Sequence, residues 1–465
     1  MSAPFIWIFI PFVAGLLIMF LLREQDSAPA GGLVAALLSL TALIFPIDTA
    51  LLLGPLSLKI SASVQVLGRS FTFGAADGLL LAFIYGVAAL WFLGTQASGT
   101  ANRFVSLGLM IIALLTASIA VEPFLFAALL IETATMLAIP LLVPPYQKPG
   151  RGVIRFIIYQ TLAMPFILFS GWMLAGVEAS PGNIGLTTQA GTLLGLGFAF
   201  LFAIFPLYNW IPMLAEEASP FATGFMLWVL PTFTTIFALG FMDRYTWLRT
   251  SAEFSNAMQL AGIFMVASGG ILSITQKHIG RIMGYAAIVE TGLIILAMTL
   301  SSANLITITF LLLIPRGLEL AVWALGISII KREAFSLQFT EVQGFARKYP
   351  LAVTGVILAH LSMTGLPLLA GFPARLALTQ ELSRESLFIT FWVFMGLLGL
   401  SLSAFRTMAV FVMAEENTAW AVNESWLQAG MLGLGMIGLF ILGLFPQVMQ
   451  VFLGNLPVLF EHLGG

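Results

Sequence analysis

The sequence predicts an all-α polytopic membrane protein of about 14 transmembrane helices, with helices 7 and 12 interrupted and two inverted five-helix repeats. Three observations lead there. Of 465 residues, 60% are hydrophobic and only 9% charged, against roughly 25% charged in ordinary soluble domains. The apolar stretches between charges mostly reach the roughly 20 residues that a helix needs to cross a hydrocarbon core of about 30 Å. Two of these stretches carry proline in similar surroundings, five spans apart.

The first run, 3–22, lacks the basic region and small-residue cleavage site of a signal peptide, so it is expected to persist as the first helix. Further spans are expected at 31–53, 76–97, 103–121, 123–143, 153–176, 192–213, 222–242, 257–275, 283–302, 304–330, 351–373, 386–405 and 428–453. From Leu56 to Val66 apolar residues alternate with polar ones, and Gly68 offers a turn before Ser70-Phe71-Thr72-Phe73. This pattern predicts a small external hairpin, with an irregular loop as the alternative. Gly430, Gly433, Gly435 and Gly438 predict close helix packing in the last span.

The prolines fall in Ala203–Pro212 of span seven and Thr364–Pro373 of span twelve. Proline removes a backbone donor, so breaks are expected at Pro206 and Pro367. Each broken span is fourth in a five-helix block, 103–242 or 257–406, and each block has a glutamate on its second helix, Glu132 or Glu290. Interrupted helices at corresponding positions point to a duplicated transporter fold with ion sites at the midplane. Five helices is an odd number, so the two copies would have opposite orientation. Residues 1–102 add three helices with the hairpin and 428–465 add the last helix, making 1–465 a single integral membrane domain.

A net charge of −2 leaves no basic surface, so nucleic acid is not expected as a partner. Without cysteine the chain has no disulfide, thiolate-held zinc or iron–sulfur cluster, and its three histidines, His278, His360 and His462, are too scattered to suggest a haem site. There is no P-loop, zinc motif or nucleophile elbow. The expectation is therefore no catalytic chemistry and no cofactor in this chain; in a redox system its partners would carry the electrons. Arg23, Arg103, Lys148, Arg151, Arg155, Lys277, Arg281, Lys331, Arg332, Arg347, Lys348 and Arg406 fall on one side of the predicted membrane, and Lys59, Arg69, Arg244, Arg249 and Arg384 on the other. Cytoplasmic loops are enriched in such residues, which predicts both termini outside, in a bacterial inner membrane on the periplasmic side.

Ionisable groups at a helix centre cost about 2.5 to 3.5 kcal/mol on insertion scales, so each needs a reason. Glu132, Glu290, Arg316, Glu319 and Arg375 fall within predicted spans. Glu132 is expected to relay protons, or else to bond a neighbouring helix as a neutral carboxyl. Glu290 lies nearer a helix end and is either a relay group or a solvated cap. Arg316 and Glu319, three residues apart, share one helical face and are expected to pair, structurally or as a switch. Arg375 either reaches the midplane or snorkels outward. His360 is a relay candidate for which hydrogen-bonded packing is the stronger expectation. Tyr159-Gln160, Tyr208-Asn209 and Tyr285 could extend a hydrogen-bond chain or simply bond between helices.

Ser273-Ile274-Thr275-Gln276-Lys277-His278-Ile279-Gly280-Arg281-Ile282-Met283-Gly284-Tyr285 resembles a segment of the antiporter-like subunits of respiratory complex I, shared with Mrp sodium/proton antiporters and membrane-bound hydrogenases. Leu361 to Arg375, Pro206 to Pro212, Asp77-Gly78-Leu79 and Glu132 are similar to other motifs of that superfamily, most closely of its quinone-proximal, fourteen-helix type. The resemblance implies inverted repeats and proton movement through a glutamate–lysine pair and a central lysine row. Glu132 matches the glutamate. Leu201 stands where span seven would carry lysine, span eight is neutral around Phe233, Arg316 and Glu319 flank the lysine position of span eleven at Leu318, and Arg375 stands where lysine or glutamate is usual. Arginine does not readily release a proton, so the lysine relay cannot operate as in the family.

The sequence thus predicts a proton-translocating antiporter-like membrane subunit of a complex I-like (NADH:quinone oxidoreductase) or hydrogenase-type complex, with protons moving through buried carboxylates. Its expected partners are other membrane subunits, the lipid bilayer and protons. The alternatives are a subunit of an Mrp-type cation/proton antiporter or ion-coupled inorganic-carbon transporter, and a structural subunit that does not pump.

Overall fold

Inside hydrocarbon a backbone must satisfy its own donors and acceptors, and the apolar runs do so as helices. The computed structural model describes residues 2–53, 56–100, 103–143, 146–179, 184–301, 304–413, 420–453, 456–460 and 462–463. The boundary expected at residue 102 and the span end expected at 302 lie outside the described residues.

A π-helical turn at Phe5–Phe9 leads into α1 (Ile10–Leu21), followed by α2 (Glu24–Ile44) and the strands β1 (Ala50–Leu53), β2 (Leu56–Lys59), β3 (Ser63–Val66) and β4 (Arg69–Thr72). Next come α3 (Asp77–Ser98), α4 (Phe104–Ala120), β5 (Val121–Glu122), α5 (Ala127–Leu142), α6 (Arg151–Ala179) and α7 (Ile184–Leu201). The chain continues through α8 (Trp210–Glu217), α9 (Pro220–Arg244), α10 (Thr246–Thr250), α11 (Ala252–Thr275), α12 (Ile279–Ala297) and α13 (Leu305–Glu333). It closes with α14 (Pro350–Thr364), α15 (Gly371–Glu385), α16 (Leu387–Val412), α17 (Trp426–Leu444) and α18 (Gln447–Leu453). Ten described helices are long and apolar enough to cross a membrane. Exposed Phe391, Phe394, Leu398, Leu402 and Phe405 form an outward apolar stripe on α16, as a lipid-facing surface requires.

Two expectations near the N-terminus are corrected. The second helix ends at Ile44 rather than at 53, because Pro46 withholds a backbone donor. Residues 50–53 instead pair antiparallel with 56–59. The single hairpin becomes two, and the turn at Gly68 joins β3 to β4. β5 adds to that second hairpin through Ser70 opposite Glu122 and Phe71 opposite Val121.

Both proline-bearing segments break. After α7, Ala203 takes a φ of 52°, and a 3₁₀ turn at Leu207–Asn209 leads into α8. After α14, Gly365 adopts a φ of 84°, its amide donating to Ser362 O at 2.9 Å and that of Leu366 to Leu361 O at 3.1 Å. This is a glycine-terminated helix end, which removes the continuation that span twelve would need at Pro367. The chain resumes as α15 and runs on to Glu385, well beyond the end at 373 expected from the sequence.

The interior is formed by α9, α12 and α13, which are buried along most of their length. Around α9, Trp91 and Trp228 stack at 6.3 Å, with Phe221 and Phe225 against Trp91. Glycines permit the closest crossings: a Cβ at Gly270 on α11 would lie 2.0 Å from Gly396 O on α16. On α17, Gly435 and Gly438 meet Val322 and Leu318 of α13, but Gly430 and Gly433 have nothing within 4 Å, so only half of that glycine pattern serves packing.

Gly270→Val is therefore expected to lower stability by about 1–3 kcal/mol through overpacking against backbone. Gly433→Ala should stay within about 0.5 kcal/mol of the parent. Unfolding of the purified chain in detergent checks both.

Candidate functional site at the second helix break

The break between α14 and α15 turns α15 so that Arg375, in its second turn, reaches inward. The side chain is 4% exposed, and its Nη1 donates to Gly371 O at 2.9 Å. Its Nη2 contacts Glu290 Oε1 of α12 directly and lies 3.9 Å from Glu319 Oε2 of α13. Glu319 is fully buried and accepts from Ser362 Oγ at 2.6 Å, while Ser362 Oγ accepts from the Gly371 amide at 3.0 Å. One guanidinium is thus shared by carboxylates from two helices, beside backbone freed by the break.

Gly371 is needed there for space. A Cβ would fall 2.1 Å from Arg375 Nη1, 2.2 Å from Ser362 O and 2.7 Å from Glu319 Oε1. Neither Gly371 nor Ser362 is among the site residues expected from the sequence, although both sit in the segment that bears the proline motif. A glycine and a serine flanking a proline break, opposite a buried charge, are the signal that could have found them.

Arg316 extends the cluster toward the first half. It is fully buried, and its Nη2 donates to Leu227 O at 2.9 Å, Thr291 Oγ1 at 3.1 Å and Ala287 O at 3.4 Å. The Nε and Nη1 atoms have no hydrogen-bond partner among the described residues. A cavity of about 10 Å³ is lined by Arg316, Thr291, Gln160, Leu201 and neighbours, room for about one water.

The expected Arg316–Glu319 pair does not form within 4.0 Å. The two residues share a helical face, but Thr291 and the carbonyls of α9 and α12 hold Arg316, whereas Ser362 and Arg375 hold Glu319. Glu290 is not a solvated cap, because it is 4% exposed and engaged by Arg375. Arg375 points to the interior rather than snorkelling.

Glu132 stands apart. It is partly exposed and accepts from Thr161 Oγ1 of α6 at 2.8 Å. Around the first break the lining is apolar: Leu201 and Phe233 are buried, and the Leu201 carbonyl receives Gln160 Nε2 at 3.3 Å. Tyr208 donates to Ser268 Oγ at 2.8 Å. His360 packs its ring on Trp323 at 4.4 Å with Nε2 3.1 Å from Ser403 Oγ, the packed arrangement favoured from sequence. Among the described residues no group of three histidine or acidic side chains is arranged to hold a metal.

Outside the spans, burial pushes His278 below the ordinary imidazole range, opposed by Glu216 and reinforced by Lys331 and Arg281. Its neutral form belongs to the folded state, so its stabilising contribution is present above the ordinary value of 6.5 and is lost as pH falls through the lowered one.

These features define a class, the polytopic helical membrane proteins with paired interrupted helices and a buried charge cluster. Residues 173–403 match the proton-antiporter family model described as NADH:quinone oxidoreductase/Mrp antiporter, TM. NADH-quinone oxidoreductase subunit 14 of Thermus thermophilus is 28% identical over 353 residues, covering 73% of this chain and 77% of that protein. Relatives named subunit N are matched over shorter stretches, 40% of the length of the one from Leptospira interrogans. A chain of the membrane-bound sulfane sulfur reductase, an archaeal respiratory membrane complex, superposes with a TM-score of 0.84 over 99% of this chain and 97% of its own, at 15% identity. A chain of the Mrp complex from Dietzia does so at 0.80 over 100% and 99%, at 14% identity. The protein belongs to the antiporter-like membrane subunits of the complex I/Mrp antiporter superfamily.

Arg375→Gln, which strands Glu290 in the interior, is expected to cost about 3–5 kcal/mol, and the double substitution Glu290→Gln/Arg375→Gln less than the sum of its parts. Unfolding in detergent measures both. In the same assay stability should fall with acid below pH 6.5, and His278→Gln should flatten that fall.

Proposed function

We propose that the chain is a proton-translocating antiporter-like subunit of a complex I-like assembly, in which partner membrane subunits and their redox cofactors carry the electrons. The observation that carries this reading is the sharing of Arg375 between Glu290 and Glu319. A proton delivered to Glu290 neutralises the carboxylate that Arg375 now holds, so the guanidinium moves toward Glu319. Loss of that proton restores the first pairing. Protons ride on carboxylates and water, and the arginines act as charges that do not titrate. The likeness to NADH-quinone oxidoreductase subunit 14 over most of both chains favours this assembly over an Mrp-type cation/proton antiporter or inorganic-carbon transporter.

The reading takes the fold as fourteen spans. Ten are the long helices, and four are the shorter apolar ones at Phe5–Leu21, Phe104–Ala120, Gly185–Leu201 and Pro350–Thr364, the last two completed by α8 and α15. The blocks 103–242 and 257–406 are inverted repeats, flanked by 1–102 and 428–465, with both termini on the periplasmic side of a bacterial inner membrane. Glu132, at the partly exposed edge of α5, is the group that receives protons from a neighbouring subunit.

A second reading, a structural subunit without a proton path, is favoured by the apolar first half, where Leu201 and Phe233 replace expected charge. Glu290→Gln, Glu319→Gln and Glu132→Gln separate the two when tested in the intact complex in proteoliposomes. Translocation predicts fewer protons moved per electron in each. An unchanged ratio in all three supports the structural subunit.

A further inference from the structure

Where α9 ends and α11 begins, a cavity of about 860 Å³ lies between α7, α9, α10, α11 and the end of α12, within the roughly 300–1,000 Å³ typical of small-molecule sites. Its depth is apolar, with Phe202, Ile204 and Met298. Phe202 and Ile204 belong to the first helix break, so the cavity reaches that break. Its mouth carries Thr192, Ser251 and Glu253. Lining residues Leu196 of α7 and Ala257 of α11 are exposed, so the gap between these two helices opens sideways, onto lipid for membrane-spanning segments.

The charge at the mouth restricts the occupant. Among the described residues the lining holds no lysine, arginine or histidine, while exposed Glu253 stands at the mouth. Arg249, the nearest cation in sequence, is turned onto the carbonyls of Met242 and Asp243 and onto Thr246 Oγ1. A carboxylate without a cation favours a ligand ending in an ammonium group and disfavours an anionic headgroup.

We propose that this cavity binds one phospholipid with an ethanolamine headgroup. An acyl chain fills the apolar depth up to the break after α7, and the ammonium meets Glu253.

The test uses the full chain, with whatever subunits accompany it, in nanodiscs of equal phosphatidylethanolamine and phosphatidylglycerol, followed by native mass spectrometry after release of bulk lipid. One phosphatidylethanolamine should be retained, in roughly threefold preference to phosphatidylglycerol. Gly195 lines the cavity and has open space where a Cβ would stand, so Gly195→Phe fills the cavity without displacing the chain. It should reduce retention about tenfold with unfolding unchanged, and Gly195→Ala should keep the lipid. Glu253→Gln should keep the lipid and lose the headgroup preference. The proposal is overturned by a parent chain that retains no lipid, by equal retention of the two headgroups, or by undiminished retention in Gly195→Phe. It is equally overturned if crosslinking from Gly195→Cys finds a partner subunit's helix, or mass spectrometry an isoprenoid quinone, in place of the phospholipid.

Discussion

The need of a buried guanidinium for carboxylate partners organises the second half of this protein. Arg375 is removed from water and from lipid headgroups, where an unpaired charge costs several kcal/mol. Glu290 and Glu319 supply the opposing charge from two different helices, so α12 and α13 are tied to α15 by electrostatics as well as packing. The break after α14 makes this possible. It turns α15, it frees the Gly371 amide to meet Ser362, and it sets the Gly371 carbonyl where the Arg375 guanidinium reaches it. The same break leaves room only for glycine at 371, so charge placement and backbone geometry fix one another.

The first break has a similar backbone and opposite chemistry. Its freed carbonyl at Leu201 is answered by a neutral amide, Gln160, and its surroundings are aromatic and aliphatic. The field inside the bundle is therefore one-sided: among the described residues the buried charges Glu290, Arg316, Glu319 and Arg375 lie on α12, α13 and α15, and of these Arg316 alone leans toward the first half through α9. Any charge movement within the chain has its electrostatic centre between α12 and α15. The first half meets that centre through the small cavity beside Arg316.

Much of the scaffold was legible along the chain. Apolar run length located the helices, because hydrocarbon thickness sets a minimum that this composition meets repeatedly, but several ends moved: α2 begins at Glu24 rather than 31, α7 at Ile184 rather than 192, and α16 runs to Val412 rather than 405. Two of the larger differences have a local cause: Pro46 ended α2 early, and Gly365 with Pro367 split the twelfth span, which resumes and runs on to Glu385. The candidate charges were legible too, since any ionisable residue amid so many apolar ones stands out. Their pairing was not. Helical spacing joined Arg316 to Glu319, while the folded chain gave each a partner at least 25 positions away in sequence.

By itself, then, the sequence determined that the chain lives in a membrane, where its helices run, where two of them break and which few residues carry charge inside. These follow from solvation and from the missing donor of proline, which act locally. Only the tertiary structure decided that Glu290, Glu319 and Arg375 converge while Glu132 stays at the edge, because convergence depends on which helices pack together and on the direction α15 takes after its break. Distances across a bundle are set by packing, and no spacing along one strand of sequence encodes them.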